Sequence, residues 1–384
     1  MRAGVNRPDQ HSADIEKPDS TKKVLDMKQT NTNRQWRLKR FVGADEIIGP
    51  QHFELVEAPM PEPAEGQILV RTLLLGTSPA QRMYISEERQ FHTPVEIGEI
   101  MRGRGVGQVV ASHHPHFAVG DIVQGALGWQ DYAVLDAAAP ELSDHNTGAV
   151  RKVLEPVRPL TTVLGLFGQL AFSAYVGIIE IGQVRRGDTV VISAAAGGVG
   201  TIACQLARIQ GAKRIIGIAG GAEKCAWLRE QALCDVAIDY RAGDLLGALQ
   251  QACPDGIDVY LDSVGGDMLD TALQCLALNA RVVLCGMIST EYQRPRPPGP
   301  THYFNLLYRR SRMEGFFVFD YVERWPEFER ALRQWYSEGQ LRVFDDVAEG
   351  LEHAPAALGS LFSGGNMGGR IIRVSDDPAE LPMA

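Results

Sequence analysis

The run Ala194-Ala195-Ala196-Gly197-Gly198-Val199-Gly200 holds the residues best suited to binding a phosphate. Glycines at 197, 198 and 200 leave the backbone bare, so N–H groups can approach a pyrophosphate. A helix starting there adds the positive end of its dipole. A glycine cluster alone is weak evidence, and a plain strand–helix turn is the alternative. The flanks strengthen it. Thr189-Val190-Val191-Ile192-Ser193 reads as a buried strand, and the segment from Gly198 reads as a helix that ends at a C′ glycine, Gly211.

The next question is which dinucleotide. A site for NAD usually has Asp or Glu ending the second strand, about 20 residues on. Here Ala219 is followed by Gly220-Gly221-Ala222-Glu223-Lys224, with no carboxylate at the strand end. Lys224 falls in the first turn of the following helix, where a cation opposes the dipole. A bound 2′-phosphate offsets that cost. Tyr240, placed at the end of the third strand, and Arg241 can reach the same phosphate. The pattern points to NADPH/NADP; a solvated surface lysine is the alternative for Lys224.

Metal chemistry requires three or more Cys, His or carboxylate ligands converging on one point. The six cysteines (Cys204, Cys225, Cys234, Cys253, Cys275 and Cys285) all lie in the central region, and none form a CxxC pair. His113, His114 and His116 cluster, but in a loop between predicted strands, and read as surface residues. No metal is expected.

Two kinds of element must position these residues. Gln67–Leu74, Gly105–Ala111, Val119–Val123 and Asp131–Val134 are short apolar runs between Gly and Pro, which predicts a compact, mostly β first domain. From Thr189 onward, strands at Arg214–Ala219, Val236–Asp239, Val259–Asp262 and Arg281–Cys285 alternate with helical segments such as Glu223–Ala232. Continuously apolar strands in that rhythm predict a doubly wound parallel sheet, and so an α/β fold. Gly369–Val374 reads as a last strand. Residues 1–33 are polar, lack aromatics and are expected to be a disordered tail; Met27 offers a later start.

A chain of 384 residues is long enough for two domains. Its 45% hydrophobic and 22% charged fractions are ordinary for a globular protein. A net charge of -9 and a pI near 5.6 give no basic footprint for nucleic acid. No apolar run reaches the roughly 18 residues of a membrane span, and the start lacks a signal peptide's layout. The expected location is cytoplasmic, with reduced thiols.

Taken together the motifs resemble the medium-chain dehydrogenase/reductase superfamily, and within it the zinc-independent prostaglandin reductase/curcumin reductase-like ene reductases. The resemblance is carried by Phe53–Val56, Gly98–Gly107, Gly128–Tyr132, the glycine turn, Asp262–Gly266, Cys285–Ser289, Pro297–Pro300 and Gly315–Tyr321, and runs from about Arg34 to Val374. It implies a GroES-like substrate domain (34–160 and 340–384), a Rossmann NADP-binding domain (161–339), a small-molecule substrate in the cleft between them, and a homodimer. It also implies that Lys224 and Tyr240 hold the 2′-phosphate, with Cys285, Ile288, Ser289, Phe316, Phe317, Val318 and Asn366 toward the nicotinamide. Ser263 stands where the family usually has Asn.

The reaction so implied is NADPH-dependent reduction of the C=C bond of an α,β-unsaturated ketone or aldehyde, with an enolate stabilised by a tyrosine donor. The family carries that Tyr two places after the Ser of its Ile-Ser pair. Here Glu291 holds that position and Tyr292 follows, so Tyr292 is the candidate, with a loop aromatic or lid as its alternative. Ser78 and Ala80 stand where the family has Asp and Tyr, and Gln169 opens a stretch where it has Met-Pro-Gly-Leu. A quinone reductase, an alcohol dehydrogenase or a non-catalytic NADPH-binding protein are the other readings.

Overall fold

A computed structural model describes residues 31–381 apart from 89–92, 138–149, 157, 291–292, 294 and 296. The predicted strands are present, and they form two sheets plus a two-stranded ribbon.

The ribbon pairs β1 (Thr32–Leu38) antiparallel to β2 (Phe53–Pro59). The first sheet contains β3 (Gln67–Gly76), β4 (Gly105–Ser112), β5 (Ile122–Gly125), β6 (Tyr132–Asp136) and the short β7 (Arg151–Lys152). β3 lies antiparallel to both β4 and β6. Two strands from the far end of the chain, β14 (Asp345–Glu349) and β15 (Gly369–Arg373), complete this sheet, with β15 antiparallel to β3. This is the GroES-like β half.

The second sheet contains β8 (Thr189–Ile192), β9 (Arg214–Ala219), β10 (Val236–Asp239), β11 (Ile257–Asp262), β12 (Leu276–Leu284) and β13 (Arg312–Gly315). All pairings are parallel, in the order β10-β9-β8-β11-β12-β13. Counted along the sheet this is 3-2-1-4-5-6, the doubly wound arrangement whose order reverses between its first and fourth strands. The helices include α1 (Gln169–Tyr175), α2 (Gly198–Ile209), α3 (Ala222–Glu230), α4 (Leu245–Ala252), α5 (Gly266–Leu273), α6 (Trp325–Ser337) and, in the C-terminal segment, α7 (Ala354–Ser363).

Burial explains the apolar strands. Val190, Ile192, Val259 and Leu261 enter one core, while Val191, Ile216, Tyr260 and Val282 enter another. Alternate residues thus point to opposite covered faces, so neither parity can be polar.

One expectation is corrected. The tail was placed at residues 1–33, yet β1 begins at Thr32 and Asn33 is fully buried. The Asn33 amide donates to Tyr132 O (2.9 Å), and its Oδ1 accepts the Tyr132 N–H (2.9 Å). Strand pairing and this reciprocal bond satisfy polar atoms that composition alone assigned to solvent. Residues 1–30 lie outside the described residues. Among the described residues, no helix is long and apolar enough to cross a membrane.

Candidate active site

The glycine turn lies at the end of β8, where the sheet order reverses. Gly197 caps α2 with an extended backbone (φ -90°, ψ 176°) and no side chain to satisfy the first amides. The first helical bond runs from Thr201 N–H to Gly197 O (2.9 Å). The first-turn N–H groups of Gly198, Val199 and Gly200 thus come at the positive end of a twelve-residue helix without a capping side chain. A Cβ on Gly200 would lie 2.4 Å from Ala194 O and 2.6 Å from Ala195 Cα, so this position admits only glycine. That tightness and the uncapped amides fit a pyrophosphate cradle.

The C-terminal segment holds the turn from outside. Gly368 N–H donates to Ala196 O (2.8 Å), and Gly368 bridges Gly197. The buried Asn366 donates its amide to Gly368 O (2.9 Å), which places it beside the glycine turn.

On the adjacent strand, β9 runs into Gly220 and Gly221, and Gly221 N–H is taken by Asp239 Oδ1 (2.8 Å). Tyr240 comes one residue after β10 ends. A Cβ on Gly220 would sit 3.1 Å from the Tyr240 hydroxyl and 3.0 Å from Arg241 Nε, so both side chains lean over the bare strand end. Lys224 is the third residue of α3, as its sequence position implied. Burial, and then the Arg241 charge, lower the Lys224 ammonium pKa. Among the described residues, neither Lys224 nor Arg241 has an ion-pair partner. Two cations and a phenol, with the neighbouring Asp239 carboxylate already held by the backbone N–H groups of Gly221 and Arg241, fit a phosphate.

Asp262 ends β11 and organises the neighbouring loops, a role the sequence reading missed. Its carboxylate accepts from Ser193 Oγ (3.1 Å), Tyr260 Oη (3.1 Å), Val264 N–H (3.0 Å) and Gly265 N–H (3.0 Å). Ser193 Oγ in turn accepts Ser263 N–H (2.8 Å), and Asp262 O accepts the N–H groups of Cys285 (2.7 Å) and Gly286 (3.1 Å). One buried residue thereby ties together the ends of β8, β11 and β12. Burial raises its carboxyl pKa in spite of those bonds. The signal in the sequence is an Asp directly before the Ser-Val-Gly-Gly turn.

The loop after β12 is laced to the loop after β11 by Ser289 N–H to Val264 O (3.0 Å), and Ser289 Oγ donates to the same oxygen (2.6 Å). Burial pushes the Cys285 thiol up to about 11, against a hydrogen bond with Ser263. Phe316 is half-buried, Phe317 is partly exposed with its ring 5.2 Å from that of Phe319, and the Val318 side chain is buried in the core. Glu291 and Tyr292 lie outside the described residues.

An open cleft of about 190 Å³ separates Ile288, Ser289 and Gln293 from Ala44, Asp45, Glu46, Arg82 and Phe362. Arg82 is its most constrained wall. Its guanidinium donates to the carbonyls of Gly43 (2.8 Å), Ala44 (3.0 Å) and Glu46 (3.1 Å), and lies 5.3 Å from the Phe362 ring centroid. Ala80, half-buried, and Gln169, in the first turn of α1, do not line this cleft. Among the described residues, no group of three or more His, Cys, Asp or Glu side chains gathers as a metal site.

Fold and site thus define a two-sheet, dinucleotide-dependent oxidoreductase with a cleft facing the cofactor loops. Comparisons agree. Residues 34–142 match the family described as N-terminal domain of oxidoreductase, and residues 198–334 match zinc-binding dehydrogenase. The chain is 38% identical over 355 residues to the NADPH-dependent curcumin reductase of Escherichia coli (strain K12), covering 91% of this chain and 99% of that one. It is 34% identical over 352 residues to the NADP(+)-dependent 2-alkenal reductase of Nicotiana tabacum, with the same coverage. The crystal structure of CurA from Vibrio vulnificus in complex with NADPH superposes with a TM-score of 0.81 at 35% identity, over 90% of this chain and all of that one. The chain belongs to the medium-chain dehydrogenase/reductase superfamily, in its curcumin reductase/prostaglandin reductase-like group of NADPH-dependent ene reductases. Its cofactor is NADPH/NADP.

Proposed function

We propose that this enzyme reduces the C=C bond of α,β-unsaturated ketones and aldehydes. The observation that carries the reading is a phosphate-ready edge (the uncapped turn at Gly198–Gly200, then Lys224, Tyr240 and Arg241) together with an open cleft lined on one side by Ile288 and Ser289. Gly197, Gly198, Val199 and Gly200 hold the pyrophosphate through backbone amides. Lys224, Tyr240 and Arg241 hold the 2′-phosphate. Ser263, Cys285, Ile288, Ser289, Phe316, Phe317, Val318 and Asn366 orient the nicotinamide half. When bound, NADPH supplies the hydride that the substrate's β-carbon accepts. Tyr292 donates a hydrogen bond to the carbonyl oxygen, where negative charge gathers as the enolate forms, and the α-carbon is then protonated by solvent or by a tyrosine. Arg82 fixes the 43–46 loop as the opposite wall of the cleft.

In this reading residues 34–160 and 340–384 form the substrate half and 161–339 the cofactor half, and the enzyme works in the cytoplasm. We further propose a homodimer. Among the described residues no further strand pairs with the outer edge of β13, and the segment just before it exposes Tyr303, Phe304, Leu307 (75%) and Tyr308.

The test is NADPH oxidation against enones, quinones and alcohol/ketone pairs in one assay, with and without a chelator. Enone-dependent turnover that survives the chelator is expected. Turnover confined to quinones or alcohols, or none with any acceptor despite NADPH binding, overturns the proposal.

A further inference from the structure

Lys224, in the first turn of α3, and Arg241, just after β10, lie close to a segment from much further along the chain. α7 ends at Gly364, which adopts a left-handed backbone (φ +72°). A Cβ built there would lie 3.4 Å from Arg241 Nη2 and 3.9 Å from Lys224 Nζ. The C-terminal end of a ten-residue helix therefore meets two cations that repel each other. The helix end carries about half an elementary negative charge, which offsets part of that repulsion. Asp346 also acts on Lys224. Its carboxylate is already engaged by Met367 N–H (3.2 Å) and Arg370. The Asp239 carboxylate is taken up by the backbone N–H groups of Gly221 (2.8 Å) and Arg241 (2.9 Å), so among the described residues neither the half-buried Lys224 nor the exposed Arg241 has its side-chain cation hydrogen-bonded to a carboxylate; this leaves a place for a dianion, and Gly364 borders it.

We propose that Gly364 is a cofactor-specificity residue. Its bare Cα keeps the space over Lys224 and Arg241 open to the 2′-phosphate, and a carboxylate at this position supplies an internal counter-ion that displaces the phosphate and turns the enzyme toward NADH. This deepens, and rests on, the reading of Lys224, Tyr240 and Arg241 as the 2′-phosphate cradle.

Asn and Asp tolerate a left-handed backbone better than other side chains and have nearly the same shape. Comparing Gly364→Asp with Gly364→Asn thus isolates charge from strain and bulk. Calorimetric titration with NADP+, NAD+, 2′,5′-ADP and 5′-AMP reads binding without turnover. Gly364→Asp is expected to bind NADP+ and 2′,5′-ADP at least about tenfold more weakly than Gly364→Asn, ~1.4 kcal/mol, while NAD+ and 5′-AMP change less than about twofold. Equal NADP+ affinity in the two variants, or an equal loss for NAD+, overturns the role of Gly364. Lys224→Ala separates this from the underlying reading. If it weakens NADP+ and NAD+ alike, the cradle itself is wrong; if it weakens only NADP+ while the Gly364 pair agree, only Gly364 is wrong. Hydrogen exchange on the unmodified protein gives a readout that does not depend on the variants folding. NADP+ should protect the amides of 363–366 more than NAD+ does at equal occupancy, and equal protection overturns the proposal.

Discussion

A lysine in the first turn of a helix is electrostatically misplaced, and that misplacement made Lys224 conspicuous in the sequence. In the structure Tyr240 and Arg241 lean over the bare Gly220 backbone, and the nearby Asp239 carboxylate is bound by the backbone N–H groups of Gly221 and Arg241. Residue type was legible because the missing acid after Ala219 is a local feature. The approach of Gly364 was not, since it lies 123 positions beyond Arg241 in the chain. Tyr292 belongs to this scale as well. Tyr292→Phe removes one donor and leaves the ring, so kcat on an enone should fall on the order of 10²-fold with little change in the Kd for NADPH. Unchanged kcat in stopped-flow or steady-state assays would remove Tyr292 from the mechanism.

The loops after β8, β11 and β12 are placed by a single buried carboxylate, Asp262, rather than by each loop's own turn chemistry. Sequence patterning located β8 and β11 within about two residues and the buried second half of β12, whose first half, with exposed Leu278 and Asn279, it missed. It gave no sign that their ends are bonded to one another. The pH response of this knot has a definite sign. Burial raises the Asp262 pKa above that of the unfolded chain. Stability from this group is therefore complete below an unfolded carboxyl's pKa of about 4, and is lost as pH rises through the folded value. Asp262→Asn cannot titrate. It should melt below the parent protein at acid pH, through the loss of acceptors for Ser193, Val264 and Gly265. The gap in Tm should narrow as pH rises toward neutrality. A gap that widens from pH 4 to pH 7 in thermal melts would contradict the raised pKa.

At the scale of the molecule, the last thirty-odd residues turn back to finish the first sheet and, on the way, touch the second. β15 pairs with β3, Gly368 pairs with Gly197, and Gly364 reaches Lys224 and Arg241. Trp36 in β1 donates to Leu351 O (2.8 Å), so the first described strand is fastened to this C-terminal segment as well. The exposed Tyr303–Tyr308 segment bears on the proposed homodimer. Leu307→Asp should leave the melting temperature nearly unchanged, because Leu307 is 75% exposed, while shifting sedimentation from dimer to monomer at micromolar concentration. A parent protein that sediments as a monomer would remove the dimer.

Local and periodic information was available in the sequence. The glycine turn between strand and helix, the missing acid after β9, the buried strands and the helix stop at Gly211 all arise within a few residues, because backbone bareness, dipole sign and side-chain period are short-range properties. The structure alone decided what depends on distant segments meeting. Thr32 and Asn33 became strand because Tyr132 supplies their partners, Arg82 became a cleft wall because three carbonyls of loop 43–46 surround it, and the glycine turn gained an outer wall from Asn366–Gly368. A polar atom's partner, and a cation's neighbour, are set by packing of segments far apart in the chain. Composition does not record that.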